Sequence, residues 1–183
     1  MKNVVDIKSM IETEKKEIKT EVKFLKDGQQ TYRYLLKKKW GEGKNTAAII
    51  MLNPSKAGSI KMDQTVMNVT NYLVDNGFSG MSVVNLFSYM ATDPEDLKHR
   101  KQDYESVNIE YIKEAFKDAT IIIVAWTRGE KITEKRRIKS ILIEHAHKLK
   151  CFKDDKGKIM RHPSRGFNEK WTLVDYSFDI EGL

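Results

Sequence analysis

The hydrophobic pattern of the chain is a series of short apolar runs separated by longer segments with helical periodicity. Three runs contain seven uncharged residues each, at 46–52, 81–87 and 120–126, and a shorter run lies around 149–152. Runs of this length are too short for buried helices and are typical of strands that are covered on both faces in a parallel sheet. The pattern therefore predicts four central strands.

Apolar residues between these runs recur every three to four positions, which predicts helices with one buried face. The predicted buried positions are Val66, Val69, Leu73 and Val74 in the first helix, Val107, Tyr111, Ile112, Ala115 and Phe116 in the second, and Ile138, Ile141, Leu142 and His145 in the third. Asp63 is placed to cap the first helix, Asn76-Gly77 to end it, and the third helix is predicted over 131–148. This alternation predicts an α/β fold, a three-layer α/β/α sandwich with a mostly parallel central sheet.

The length of 183 residues predicts a single domain over 1–183. Its predicted parts are a peripheral N-terminal segment at 1–20, which is an arm or a short amphipathic helix, a β-hairpin at 21–40 and the α/β core at 46–166. Asp27-Gly28 is the predicted hairpin turn, and the tail from 170 to 178 is a candidate edge strand.

The charge balance favours a polyanionic partner. The 33 lysines and arginines against 26 acidic residues give a net charge of +7, and the isoelectric point is near 9.3. Such proteins bind nucleic acids through counterion release, but a lysine-rich proteome gives the same excess spread evenly over the surface. The single cysteine, Cys151, cannot pair within the chain, and neither a signal-peptide core nor a membrane-spanning run is found. These features predict a soluble protein of a reducing cytosol.

Polar groups follow each predicted central strand at its carboxyl end. They are Asn53-Pro54-Ser55, Asn85 with Ser88-Tyr89, Trp126-Thr127-Arg128 and Arg161-His162-Pro163-Ser164. Ligands of open α/β sheets bind beyond the carboxyl ends of the strands, so these groups are predicted to share one rim. Ordinary interpretations stay open: Asn53 can belong to a strand-ending turn, Asn85 can be a satisfied structural amide, and His162 can lie in a surface loop.

Five motifs in order along the chain carry a family resemblance. They are MLNPS at 51–55, DQTV at 63–66, VVNLFSYMATDPEDL at 83–97, AWT at 125–127 and RHPS at 161–164. Over most of residues 33 to 166 the chain resembles the bacterial and phage family called domain of unknown function 1643. The motif order is also similar to that of the uracil-DNA glycosylase superfamily, in which Asp-Pro or Asn-Pro follows the first strand, an Asn follows a later strand, and His-Pro-Ser lies near the end.

The second resemblance implies a uracil-DNA-glycosylase-like fold and hydrolysis of the N-glycosidic bond of a pyrimidine nucleotide in DNA, in DNA repair or modification. By this resemblance Asn53 would hold the attacking water, His162 would donate to the base oxygen and Asn85 would recognise the base edge. Base stacking would fall to Phe87, Tyr89 or Trp126, and phosphate contacts to Ser55, Ser164, Arg161 and Arg165. The implied location is the cytoplasm of a bacterium or of a phage-infected host cell.

The chain also departs from the glycosylase pattern. Met51 stands where a Gly is usual, and Arg165-Gly166-Phe167 replaces the usual Pro-Leu wedge, with Phe167 as a candidate substitute. Uracil itself is therefore not implied as the substrate. Two other functions stay open, a hydrolase of free nucleosides or nucleotides and a non-catalytic protein that binds nucleotides or DNA.

No metal or cofactor is predicted from the sequence. The chain has no Cys/His cluster, and His145 and His147 fall on different faces of their predicted helix. The predicted partner is DNA or a nucleotide, with no membrane association.

Overall fold

The computed structural model describes residues 11–55, 57–91, 94–126 and 137–177. They form a mixed α/β structure in which one eight-stranded sheet carries helices on both faces. The strands are β1 (Lys19–Asp27), β2 (Gln30–Lys39), β3 (Thr46–Met51), β4 (Gly80–Asn85), β5 (Ile121–Val124), β6 (Leu149–Lys153), β7 (Ile159–Arg161) and β8 (Thr172–Asp175). The α-helices are α1 (Gln64–Asp75), α2 (Gln102–Ser106), α3 (Asn108–Asp118) and α4 (Lys139–Glu144), and 3-10 helices span Pro94–His99 and Ala146–Lys148.

The strand order is β1-β2-β4-β3-β5-β6-β7, with β8 paired to β6. The four predicted central strands, β4, β3, β5 and β6, are parallel to one another. Strands β1, β2, β7 and β8 pair antiparallel at the two sides. The prediction of a mostly parallel sheet is therefore wrong for the whole sheet, because the hairpin and the tail add antiparallel strands to a parallel centre.

Side chains that alternate along the central strands form two cores, one on each face of the sheet. On the first face, Ala48, Ile50 and Val84 pack with Ile112 and Phe116 of α3. We call this the α3 face, and it also carries α4. The opposite α1 face joins the strands to α1 and to Trp171, through Ala47, Ile49, Met51, Val83, Val66, Val69 and Leu73.

The first helix was predicted with accurate ends, because its signals are local. The Asp63 carboxylate accepts a hydrogen bond from the Val66 backbone N–H at 2.8 Å, and Asn76 is the C-cap. Gly77 follows with φ of +74°, a conformation that glycine adopts at little energetic cost. Val74 is 49% exposed, so its predicted burial is wrong.

Other predicted elements are shorter than expected. Helix α4 ends at Glu144 instead of 148, and positions 131–136 lie outside the described residues. Residues 11–18 are exposed and form neither a helix nor a strand, while residues 1–10 are also outside the described part. The predicted tail strand is present as β8. No helix in the described part of the chain is long and apolar enough to cross a membrane.

A β-bulge in the hairpin changes which way one arginine points. The register between β1 and β2 shifts between Lys23 and Phe24, so that Tyr34 is the extra residue of β2. The Tyr34 ring stacks on Tyr111 of α3, at 5.1 Å between ring centroids. Because of the bulge, the preceding residue, Arg33, points to the α1 face, where its Nη1 donates to the Ala57 carbonyl at 2.5 Å. An uninterrupted alternation would have placed Arg33 on the other face.

Candidate functional site

The carboxyl ends of the parallel strands form one continuous rim. Backbone hydrogen bonds continue beyond the strand ends, from Leu86 N–H to Met51 O at 2.9 Å, from Phe87 N–H to Leu52 O at 3.0 Å, and from Ala125 N–H to Ile50 O at 2.9 Å. The polar residues that follow β3 and β4 are therefore held side by side. Thr127 and Arg128, which follow β5, lie outside the described residues.

Asn53 has an amide whose orientation is set by the protein. Its Nδ2 donates to the Ala91 carbonyl at 2.8 Å and, at 3.4 Å, to the Pro54 carbonyl. Only the NH₂ group of the amide can donate to carbonyls, so Oδ1 must point away from them. No described residue donates a hydrogen bond to this oxygen, which leaves it free to accept one from water or a ligand.

Asn85 has a fully buried side-chain amide without a hydrogen-bond partner. The residue is 0% exposed, and neither its Nδ2 nor its Oδ1 has a partner among the described residues. Asn85 is opposite Met51 in the β3–β4 register, so alternation places its side chain on the α1 face. Burial of an unpaired amide costs about 1–3 kcal/mol. The described residues do not satisfy this amide, so its partner would have to be a water molecule or a ligand.

Ser55 and Asp63 form a hydrogen-bonded pair beside Asn53. The exposed Ser55 hydroxyl donates to Oδ2 of Asp63, whose Oδ1 caps α1. Burial lowers the pKa of Arg33 and of His162, and the charge of the Asp63 carboxylate acts in the opposite direction on both. One carboxylate therefore links the loop after β3 to two basic groups from distant parts of the chain.

Arg33 is a buried cation that the sequence pattern did not reveal. Its side chain is 2% exposed, and its Nε has no hydrogen-bond partner among the described residues. Burial lowers the pKa of Arg33 to about 10, while the charge of Asp63 acts in the opposite direction. Arg33 therefore stays positively charged at neutral pH, on the same face of the sheet as Asn85.

His162 lies in a loop that α1 holds in place. Asn68 Nδ2 of α1 donates to the backbone carbonyls of Pro163 at 3.2 Å and Ser164 at 3.1 Å, and the Ser164 N–H donates to the His162 carbonyl at 2.8 Å. Burial lowers the pKa of His162 below its ordinary value, and Asp63 partly offsets this effect. The imidazole is therefore neutral at pH 7 and can donate one hydrogen bond. The loop is anchored to α1 through Asn68, and His162 is half-buried in it.

Acidification should destabilise the protein through His162. The ordinary pKa is 6.5 and burial lowers it in the folded state, so the unfolded state takes up protons first as the pH falls through about 6.5. The contribution to stability is full above that pH and declines below it. We expect urea unfolding at pH 7.5, 6.5 and 5.5 to show a smaller decline for His162→Gln than for the wild type. The exposed His147 offers the control His147→Gln, which should follow the wild type, and an unchanged profile for His162→Gln would contradict this expectation.

The three candidate stacking residues all have partners on the α3 face. Phe87 is 1% exposed and Trp126 is 2% exposed, and both belong to the core on that face. The guanidinium carbon of Arg100 lies 4.7 Å from the Phe87 ring centroid. Tyr89 is half-buried, with its ring centroid 5.2 Å from that of Tyr32. These protein contacts hold all three rings in place without a ligand. Stacking of a base against any of the rings stays a prediction.

The candidate phosphate-binding residues lie on both sides of the His162 loop. Arg161 Nε is 3.0 Å from Asp154 Oδ2, and Arg165 is exposed. Both arginines line a cleft next to the loop. Ser164 is half-buried. Phe167 packs against the Trp171 ring, at 4.9 Å between centroids, so it does not project as an inserting wedge.

Two buried polar residues that support the rim were missed in the sequence. The Glu105 carboxylate is 0% exposed and accepts hydrogen bonds from the backbone N–H groups of Ser88 and Tyr89, each at 2.9 Å. Asn108 Nδ2 donates to the Asn85 carbonyl at 2.8 Å and to the Leu86 carbonyl at 3.2 Å. Together they determine the path of the chain after β4. Their only sequence signal is polar residues beside the apolar stripe of a helix, which is common on helix surfaces.

The described side chains show no group of three or more His, Cys, Asp or Glu that could hold a metal ion. Ser55, Asp63 and His162 supply a hydroxyl, a carboxylate and a neutral imidazole, and Arg33 supplies a buried positive charge. The rim can therefore hold water, donate hydrogen bonds and stabilise negative charge.

Comparison with known proteins agrees with the first of the two resemblances. No curated protein matches the chain. A crystal structure of a "Putative hydrolase" from Agrobacterium vitis S4 is similar at 11% identity and a TM-score of 0.39, over 74% of this chain and 50% of that one. The chain thus spans about half the length of that protein, and a TM-score this low carries no argument about fold or function. Residues 33–164 match the family described as "Protein of unknown function (DUF1643)". Because this match covers most of the chain, the protein belongs to the DUF1643 family.

Proposed function

We propose that this protein hydrolyses the N-glycosidic bond of a pyrimidine nucleotide, modified or unmodified, in DNA. The fold in this proposal is a variant of the uracil-DNA glycosylase type. Its support is the order of the motifs, with Asn-Pro after β3, Asn85 at the end of β4 and His-Pro-Ser after β7. The comparison structure contributes nothing to this proposal.

The buried amide of Asn85 is the observation that carries the proposal. A carboxamide offers a donor and an acceptor side by side, which matches the edge of a pyrimidine. Both amide atoms of Asn85 lack a partner among the described residues, and the residue is 0% exposed. A flipped base would satisfy both atoms at once and would remove the penalty of about 1–3 kcal/mol for leaving them unpaired.

Asn53 is the residue proposed to position the attacking water. Its Nδ2 is held by the Ala91 carbonyl, so Oδ1 can accept a hydrogen bond from a water molecule. In the reaction the water oxygen forms a bond to the sugar carbon and loses a proton to solvent. The bond from that carbon to the base nitrogen breaks, and its electron pair leaves with the base. An amide cannot accept the proton, so Asn53 acts by orientation alone.

His162 and Arg33 supply stabilisation for the negative charge on the departing base. The neutral imidazole of His162 would donate a hydrogen bond to the base oxygen, an effect worth about 3 kcal/mol in oxyanion holes. Arg33 adds a buried positive charge on the same side of the sheet. The Asp63 carboxylate, which interacts with both, would favour the positive charge that develops on the sugar.

Base release from defined oligonucleotides tests this function. The protein is incubated with strands that carry uracil, hydroxymethyluracil or other modified pyrimidines, and abasic sites are then cleaved with alkali. We expect strand breaks at one class of base, and their loss in Asn53→Ala and Asn85→Leu. The variant Asn71→Ala, which changes an exposed residue of α1, should act like the wild type.

The same assay distinguishes the other two functions. Release of base from free nucleotides but not from oligonucleotides would indicate a small-molecule hydrolase. Tight binding of oligonucleotides without strand breaks would indicate a non-catalytic binding protein. Either result would overturn the proposed DNA glycosidase activity.

A further inference from the structure

A cationic cleft lies between the β6–β7 turn and the loop that follows His162. The cleft has a volume of about 340 Å³ and is lined by four cationic side chains, two aspartates and Trp171. The cations are Lys156, Lys158, Arg161 and Arg165. Arg161 comes directly before His162 in the chain and Arg165 comes three residues after it, so the cleft and the His162 loop share one continuous segment.

A buried aspartate gives the turn a defined shape. Asp154 is 6% exposed, and its Oδ1 accepts hydrogen bonds from the backbone N–H groups of Lys156 at 3.0 Å and Lys158 at 2.8 Å. Its Oδ2 is 3.0 Å from Arg161 Nε, a contact between charges without the geometry of a hydrogen bond. The backbone of both lysines is therefore fixed. The negative charge of Asp154 interacts with these N–H groups and with Arg161.

Three of the cations in this cleft have no protein counterion. Within the described ranges, no carboxylate lies within ion-pair distance of Lys156, Lys158 or Arg165. Trp171 also lines the cleft, and its buried indole Nε1 has no hydrogen-bond partner among the described residues. Lysine and arginine side chains without a counterion are donors that phosphate oxygens accept.

A second lysine-rich cleft, of about 490 Å³ at the amino ends of β3 and β4, differs in this respect. There Lys37 lies 4.0 Å from Asp118 and Lys39 lies 3.7 Å from Glu42. Lys38 Nζ donates to Thr20 Oγ1 at 3.0 Å. Two of the four lysines of the second cleft therefore have a carboxylate counterion, whereas one of the four cations beside the His162 loop has one.

We infer that the cleft at the β6–β7 turn binds consecutive backbone phosphates of a DNA strand next to the flipped nucleotide. This inference rests on the proposed function and adds to it a separate binding surface for the DNA backbone. A free nucleotide recognised by Asn85 would have no backbone phosphates that extend along the turn. Part of the positive charge that the composition shows would then bind the phosphates of a nucleic acid in this cleft.

Salt-dependent DNA binding tests the inference. The triple variant Lys156→Ala/Lys158→Ala/Arg165→Ala is compared with Lys37→Ala/Lys39→Ala/Lys44→Ala, which removes the same charge around the second cleft. Affinity for a fluorescent single-stranded oligonucleotide is measured by anisotropy at several salt concentrations. Each lost phosphate contact should lower the slope of log K against log salt by about 0.7 for a single strand, hence by about 2 for three contacts. We expect this loss, with affinity weaker by roughly tenfold or more at low salt, only in the first variant.

Failure of the inference and failure of the proposed function give different results. If the first variant binds with the same affinity and salt slope as the second, the cleft is not a phosphate site, whether or not the wild type releases a base. If the wild type releases no base but binding depends on the turn, the cleft is a DNA site on a protein without glycosidase activity. Thermal unfolding of both variants should match the wild type, because all six side chains are at least partly exposed.

Discussion

Replacement of Asn85 by leucine should raise the free energy of unfolding of the ligand-free protein by about 1 kcal/mol and abolish base release. Leucine has a similar size and needs no hydrogen bond. The wild type carries the penalty of about 1–3 kcal/mol for a buried amide with two unpaired atoms. The substitution also removes the donor and acceptor proposed to recognise the base, which should weaken nucleobase binding by roughly 10- to 100-fold. Urea unfolding and equilibrium binding measure the two effects.

Asn108→Leu is the matched control for this prediction. Asn108 is 1% exposed, but its Nδ2 donates to the Asn85 and Leu86 carbonyls. Its replacement leaves those carbonyls without their donor and should therefore destabilise the protein by about 1–3 kcal/mol. If Asn85→Leu destabilises the protein as much as Asn108→Leu, then Asn85 has a structural role and the main support for the proposed function is lost.

Replacement of Glu105 by alanine should destabilise the protein by about 3–5 kcal/mol. The buried carboxylate accepts hydrogen bonds from the Ser88 and Tyr89 N–H groups, and its removal leaves both donors buried without a partner, next to a cavity. Glu105→Gln keeps one acceptor oxygen and should lose less stability than Glu105→Ala. Urea unfolding of the three proteins gives the order directly.

Glu110→Ala is the control for Glu105, because Glu110 is an exposed residue of the neighbouring helix α3. Its effect should stay within about 0.5 kcal/mol. The segment after β4 also carries the Ala91 carbonyl that orients Asn53, so Glu105→Gln should reduce activity as well as stability. A Glu105→Ala protein as stable as Glu110→Ala would show that the carboxylate does not hold this segment.

The parts of the site that were predicted from sequence depend on local signals. Asp63 was identified as a helix cap because a cap depends on residues within one turn, and the backbone bond to Val66 has that form. Asn85 stood out because an amide inside an apolar strand must be buried wherever the strand lies. The order of motifs led to the DUF1643 family, which the match over residues 33–164 supports.

Other site residues could not be predicted, because their environment comes from distant parts of the chain. Arg33 is in a hairpin whose alternating pattern suggests a solvent-facing position, and the bulge beside Tyr34 turns it to the α1 face. Glu105 follows polar residues in a short helix, and its burial depends on the path of the segment after β4. A register shift is a property of two paired strands together, so one strand's sequence does not determine it.

The sequence by itself determined the four central strands, the ends of the first helix and the family, since short apolar runs, caps and ordered motifs are encoded by neighbouring residues. Only the tertiary structure decided that the sheet is mixed, that Asn85 is left without hydrogen-bond partners and that Arg33 is buried near Asp63. These features depend on which strands pair and in which register, and pairing joins residues that are far apart in the chain.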